Sequence, residues 1–146
     1  MLVSVRDVAA YVLRKRGSMT HMKLQKLVYY CQAWSLVWDD EPLFDDEIQA
    51  WANGPVVPNL YSCYRGQFQI AADSWPDGAD PDSLNGRARE TVEAVLQNYG
   101  DKSPVWLSAL THQESPWKDA RGDMPPGARG SKVITHAAMA EYYGSL

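Results

Sequence analysis

The sequence predicts a single, mainly α-helical domain over residues 1–146, with about six helices and one small two-stranded β element. Three observations predict it. Apolar residues recur at helical spacing through most of the chain. Residues suited to capping, namely Ser4, Thr20, Ser83, Ser103 and Thr135, stand just ahead of those runs. Extended-looking stretches are few and short, and most lie between Leu43 and Trp51.

The first helix follows Ser4 and places Val5, Val8, Ala9, Val12 and Leu13 on one face. Arg14, Lys15 and Arg16 fall in its last turn, where cations suit the negative helix end, and Gly17 supplies the stop. Thr20 caps a second helix expected to reach Trp38. Leu24, Leu27, Val28 and Cys31 form one stripe on it, and Tyr30, Trp34, Val37 and Trp38 a second. Two adjoining stripes predict a central helix packed on more than one side. Lys23 and Lys26 are assigned to the polar arc that remains.

Asp39, Asp40 and Glu41 end that helix and Pro42 prevents its return. Leu43-Phe44 and Ile48–Trp51 are expected to pair as the ribbon, with Gly54-Pro55 breaking the strand. Pro55 and Pro58 pre-set the backbone that follows. A third helix begins near Pro58, carries Leu60, Tyr61 and Tyr64, and ends at Gly66. Residues 67–86 read as an exposed acidic loop, the place where mobility is expected. Ser83 is assigned as cap of the next helix, in which Leu84, Ala88, Thr91, Val92, Val95, Leu96 and Tyr99 share a face. Ser103-Pro104 opens another helix, and Ser115-Pro116 repeats the device before Trp117. A Gly/Pro-rich loop covers 121–130, Val133-Ile134 is extended, and Thr135 caps a last helix over 136–143.

Composition bounds the function. The chain is 45% hydrophobic and 22% charged, ordinary for a globular domain. Six Trp and eight Tyr suit an aromatic core or a half-wet interface. A net charge of −4 argues against a protein whose main task is holding phosphate backbone. Two cysteines without paired spacing point to reduced thiols and a cytoplasmic protein. No run reaches ~18 apolar residues and no signal-peptide pattern opens the chain, so no membrane partner is expected.

Candidate chemistry is sparse. His21, His112, His136, Cys31 and Cys63 lack metal-ligand spacing, and neither a metal nor a cofactor is expected. Residues 127–132 lack the spacing of a phosphate loop. A helix-turn-helix layout is conceivable over the first two helices. The second is too apolar for a recognition helix, and nucleic acid is not expected as a partner. The segment His112-Gln113-Glu114-Ser115-Pro116-Trp117 brings an imidazole, an acid and an indole together. Two readings stay open there: a helix-end lock, or a small polar pocket of His112, Glu114 and Trp117. The pocket also motivates an alternative as a small enzyme, but no catalytic residue is assigned.

Three segments carry a family resemblance. Lys23-Leu24-Gln25-Lys26-Leu27-Val28-Tyr29-Tyr30 resembles the "KLQKLLYY" helix of the Panacea domain, a family that includes SocA-like and GepA-like antitoxins. The run from Ile48 to Tyr61, IQAWANGPVVPNLY, is similar to the family's "IEAWxxGPVxxxLY", with Gln49 where Glu is common. His112–Trp117 is similar to its "HxExPW". The resemblance implies a compact helical antitoxin, not an enzyme, that binds a cognate toxin protein. It also implies alternatives: an adaptor delivering the toxin to a ClpXP-type protease, or a DNA-binding regulator. Such genes often sit in toxin–antitoxin or prophage operons. The expected partner-binding residues are Trp51, Asn53, Gly54, Pro55, Val56, Tyr61 and Tyr64, with Lys23 and Lys26 nearby.

Overall fold

The computed structural model describes residues 2–146. Among them it has seven α-helices and two two-stranded antiparallel sheets, so the mainly α class holds, with a second small sheet beyond the one expected. The helices are α1 (Val5–Arg16), α2 (His21–Trp38), α3 (Pro58–Tyr61), α4 (Gly86–Tyr99), α5 (Pro104–Gln113), α6 (Ser115–Arg121) and α7 (His136–Gly144). The strands are β1 (Met19–Thr20), β2 (Gln49–Trp51), β3 (Gly54–Val56) and β4 (Gln69–Ile70).

Helix α2 is the axis of the fold. Thirteen of its 18 residues are buried, and α1, α4, α5, α7 and β3 all pack on it. Thr20 caps it by accepting from the Lys23 amide at 3.1 Å. Its second stripe is only partly interior. Tyr30 is fully buried, whereas Trp34 is half-buried and Trp38 is 49% exposed. The same division runs through the chain. Tyr11, Tyr29, Tyr30, Tyr64 and Tyr143 are core residues, while every tryptophan is half-buried or exposed.

Lys26 does not belong to a polar arc. It is fully buried at 1% exposure, because the hairpin made by β2 and β3 closes over it. The ribbon itself differs from the one expected. Gly54-Pro55 does not break it but forms its second strand, with Gln49 opposite Val56, Ala50 opposite Pro55 and Trp51 opposite Gly54. Pro55 is tolerated because it sits in a non-hydrogen-bonded pair, where no amide is required. Ala50 correspondingly turns its own amide outward, to Lys132 O at 2.8 Å. Ile134 N donates to Ile48 O at 2.8 Å, so the extended 132–134 segment lies along β2. Leu43 and Phe44 are buried irregular chain instead. Gln32 on α2 accepts from both their amides and donates to Phe44 O.

Two further boundaries shift. Asn85, not Ser83, caps α4, while Ser83 Oγ donates to Asp7 Oδ2 on α1. Glu114, not Ser115, precedes α6, and its side chain is committed elsewhere. The acidic 67–86 segment is tied down: β4 pairs with β1, Asp7 accepts the Asp80 amide, and Arg14 pairs with Asp82 at 2.9 Å. The acids after α2 are also engaged, since Arg87 reaches Glu41 at 3.2 Å and Thr91 donates to Asp39.

Candidate functional site: a clamped hairpin beside a cationic cleft

Strands β2 and β3 are joined by the two-residue turn Ala52-Asn53, which leads into Gly54 at φ +122°. That conformation is open to glycine and strained for other residues. A Cβ at Gly54 would also run into Lys26 Cε, so close approach and backbone conformation require glycine together.

The hairpin is held by side chains, one carbonyl after another. Trp117 Nε1 donates to Trp51 O at 2.8 Å. His112 Nε2 lies 3.2 Å from Ala52 O, and its Nδ1 lies against Ser108 O. A neutral ring donates to only one of these two carbonyls at a time. Ser108 Oγ donates to Asn53 O at 3.0 Å. Lys26 Nζ donates to Pro55 O at 3.3 Å, and the Val57 amide donates to Gln25 Oε1 at 2.9 Å. Arg121 reaches Ala50 O and also ties Pro125 O and Ala128 O of the following loop.

The three sequence motifs therefore meet at one place. Lys26 and Gln25 hold the hairpin from below, and His112 and Trp117 hold it from the side, their rings 4.0 Å apart. Glu114 points the other way. It is buried and accepts from Tyr30 and Tyr143, both at 2.7 Å, while Tyr29 and Tyr143 share a hydrogen bond at 3.0 Å. Burial pushes the Glu114 carboxyl up, against the lowering effect of those two hydroxyls. Of the two readings of this segment, the geometry is that of a lock. Neither His112 nor Glu114 lines the cleft described next.

Beside the hairpin lies a cleft of about 730 Å³. His21, Gln25 and Lys26 of α2 form its base. Trp51, Asn53, Val56 and Tyr61 form one side, and Gly127, Arg129, Gly130 and Ser131 the other. His21 stacks on Tyr61 at 5.0 Å, and Tyr61 meets Trp51 edge-on at 4.9 Å. Burial holds the Lys26 ammonium far below its ordinary value, at about 7. His21 is pushed down to about 4, by burial first and by Lys26 second. Among the described residues no group of three or more His, Cys, Asp or Glu is placed to hold a metal. No helix among them is long and apolar enough to cross a membrane.

The expected partner-binding residues divide by depth. Trp51 and Tyr61 are half-buried and Asn53 is exposed, all on the cleft rim. Gly54, Pro55, Val56, Tyr64 and Lys26 are buried and support that rim. Lys23 is half-buried and does not line the cleft; burial lowers its ammonium, with Arg16 and Asp101 as its charged neighbours. Sequence reading missed the loop wall, whose glycines and Arg129 carried only a flexible-loop signal. It also missed Val105 and Trp106, which are 77% and 45% exposed. They stand one turn ahead of Ser108, the residue that holds Asn53.

The sequence model of the family described as "Antitoxin SocA-like, Panacea domain" matches residues 24–118. A curated relative, "Antitoxin SocA" of Caulobacter vibrioides (strain NA1000 / CB15N), is 29% identical over 133 residues. The match covers 79% of this chain and 69% of that relative. No solved structure matches the chain.

Proposed function

The chain belongs to the SocA-like Panacea family of antitoxins, and from that premise we propose that it neutralises a cognate toxin by direct protein–protein binding, without enzymatic activity. Residues 1–146 act in this reading as one antitoxin unit, in the cytoplasm, with the toxin gene adjacent in a toxin–antitoxin or prophage operon. The contact face is the hairpin tip and its rim: Trp51, Asn53 and Tyr61, extended by Val105 and Trp106.

The observation that carries this reading is the clamp. The carbonyls of residues 50, 51, 53 and 55 each receive a side-chain donor and that of Ala52 lies against the His112 ring, so the tip is fixed before any partner arrives. A pre-ordered surface loses little conformational freedom on binding, and affinity rises accordingly. Half-buried Trp and Tyr beside exposed apolar residues are the side-chain types that anchor protein interfaces.

Co-expression with the product of the adjacent open reading frame tests it. The toxin alone should arrest growth, the pair should grow, and the two proteins should co-purify. Trp51→Ala combined with Asn53→Asp should abolish both rescue and co-purification while the protein stays folded. Rescue without co-purification, accompanied by a shortened toxin half-life that depends on a ClpXP-type protease, would establish proteolytic delivery instead.

A further inference from the structure

The cleft beside the hairpin has a charge that its surroundings do not explain. The chain carries 18 acidic residues and a net charge of −4. Yet among the described residues no Asp or Glu lines the cleft, while Lys26 and Arg129 both do. Lys26 is fully buried, and its ammonium has three donors. One is used, on Pro55 O. No carboxylate pairs with it among the described residues, and burial alone accounts for its lowered value. Glu47 accepts from Gln49, a cleft residue that in turn accepts from Trp51 Nε1. Burying a cation without a counter-charge is costly, and an entering anion relieves that cost.

The remaining walls suit an organic ligand. His21, Tyr61 and Trp51 form a continuous series of rings along one side. At about 730 Å³ the cleft falls in the range of small-molecule sites, with mostly apolar walls and a few polar groups. Gly127 and Gly130 line the cleft beside Arg129, and Arg121 fixes that loop through Pro125 O and Ala128 O. We propose that this cleft binds a small organic anion, a phosphate or carboxylate carried on a planar ring, with the acid group between Lys26 and Arg129. This goes beyond toxin binding and does not depend on it.

The test uses the purified full-length protein alone, with two matched pairs of probes: adenosine monophosphate against adenosine, and benzoate against benzyl alcohol. Binding is followed by calorimetry and by the Trp51 indole N–H resonance, assigned with Trp51→Phe. In at least one pair the acid should bind roughly tenfold or more tightly than its neutral analogue, as charge-assisted bonds require. The pair that responds identifies phosphate or carboxylate as the preferred acid. Lys26→Met should erase that preference, and Arg129→Gln, an exposed position, should weaken it several-fold. Two results overturn the proposal: no binding of either acid at about 10 mM, the millimolar floor of weak recognition, or a preference that survives in folded Lys26→Met.

Discussion

Replacing Lys26 by Met should make the protein more stable. The Lys26 ammonium is held at about 7 against an ordinary 10.5, through burial alone. At about 1.4 kcal/mol per unit, this opposes folding by about 5 kcal/mol at and below neutral pH. Met has a similar length and no charge to desolvate. It strands Pro55 O, the one acceptor that Lys26 serves, at a cost of about 1–3 kcal/mol. The balance is a net gain of about 2–4 kcal/mol, or roughly 4–16 °C in Tm for a chain of this size. The pH dependence has a definite sign. Because Lys26 binds its proton more weakly in the folded state, wild-type stability should rise with pH from about 7 toward 10.5. The advantage of the variant should be largest at or below pH 7 and should close as pH approaches 10.5. Urea titrations of both proteins at five pH values from 6 to 10 measure this directly. A variant less stable than wild type at pH 7, or a difference that does not change with pH, would refute the reasoning. A lysine kept at such a cost to stability is what a binding role in the cleft requires.

The other predictions concern the clamp. Gly54→Ala combines a strained φ with a collision against Lys26, and should cost about 2–4 kcal/mol, read as a lowered urea midpoint. His112→Ala removes the ring that bridges Ser108 O and Ala52 O and should cost about 1–2 kcal/mol, with faster amide exchange in residues 51–56. Partial rescue of growth should remain, whereas a catalytic His112 would give complete loss of rescue in a stably folded protein. Glu114→Ala strands the buried Tyr30 hydroxyl and leaves that of Tyr143 only its bond with Tyr29, and should cost about 3 kcal/mol; Glu114→Gln, which keeps an acceptor, should recover part of it in thermal melts.

Much of the fold was legible because it rests on local signals. Ser4, Thr20, Ser103 and Thr135 each cap the helix assigned to them, and the two stripes of α2 correctly placed that helix at the centre. What was not legible depended on pairing between distant residues. Gly54-Pro55 has the local chemistry of a strand breaker, and only its register opposite Ala50 makes it a strand. Lys26 looked solvent-exposed because helical spacing shows which residues share a face, not what later covers that face. Ser83 has the chemistry of a cap but was claimed by Asp7, 76 residues earlier in the chain. The candidate site divides in the same way. The hairpin and the His112–Trp117 segment were visible as motifs, but the bonds joining them cross about 60 residues and left no periodicity to read. The cleft was invisible because its second wall is an irregular loop, held by Arg121 through backbone carbonyls.

The central claim is direct binding through the hairpin face, and titration of purified toxin into the purified protein, with no protease present, tests it most directly. The account predicts saturable binding that Trp51→Ala with Asn53→Asp weakens by two orders of magnitude or more, roughly the loss of a hot spot of about 3 kcal/mol. Absence of binding between folded partners that nonetheless rescue growth in cells would contradict it.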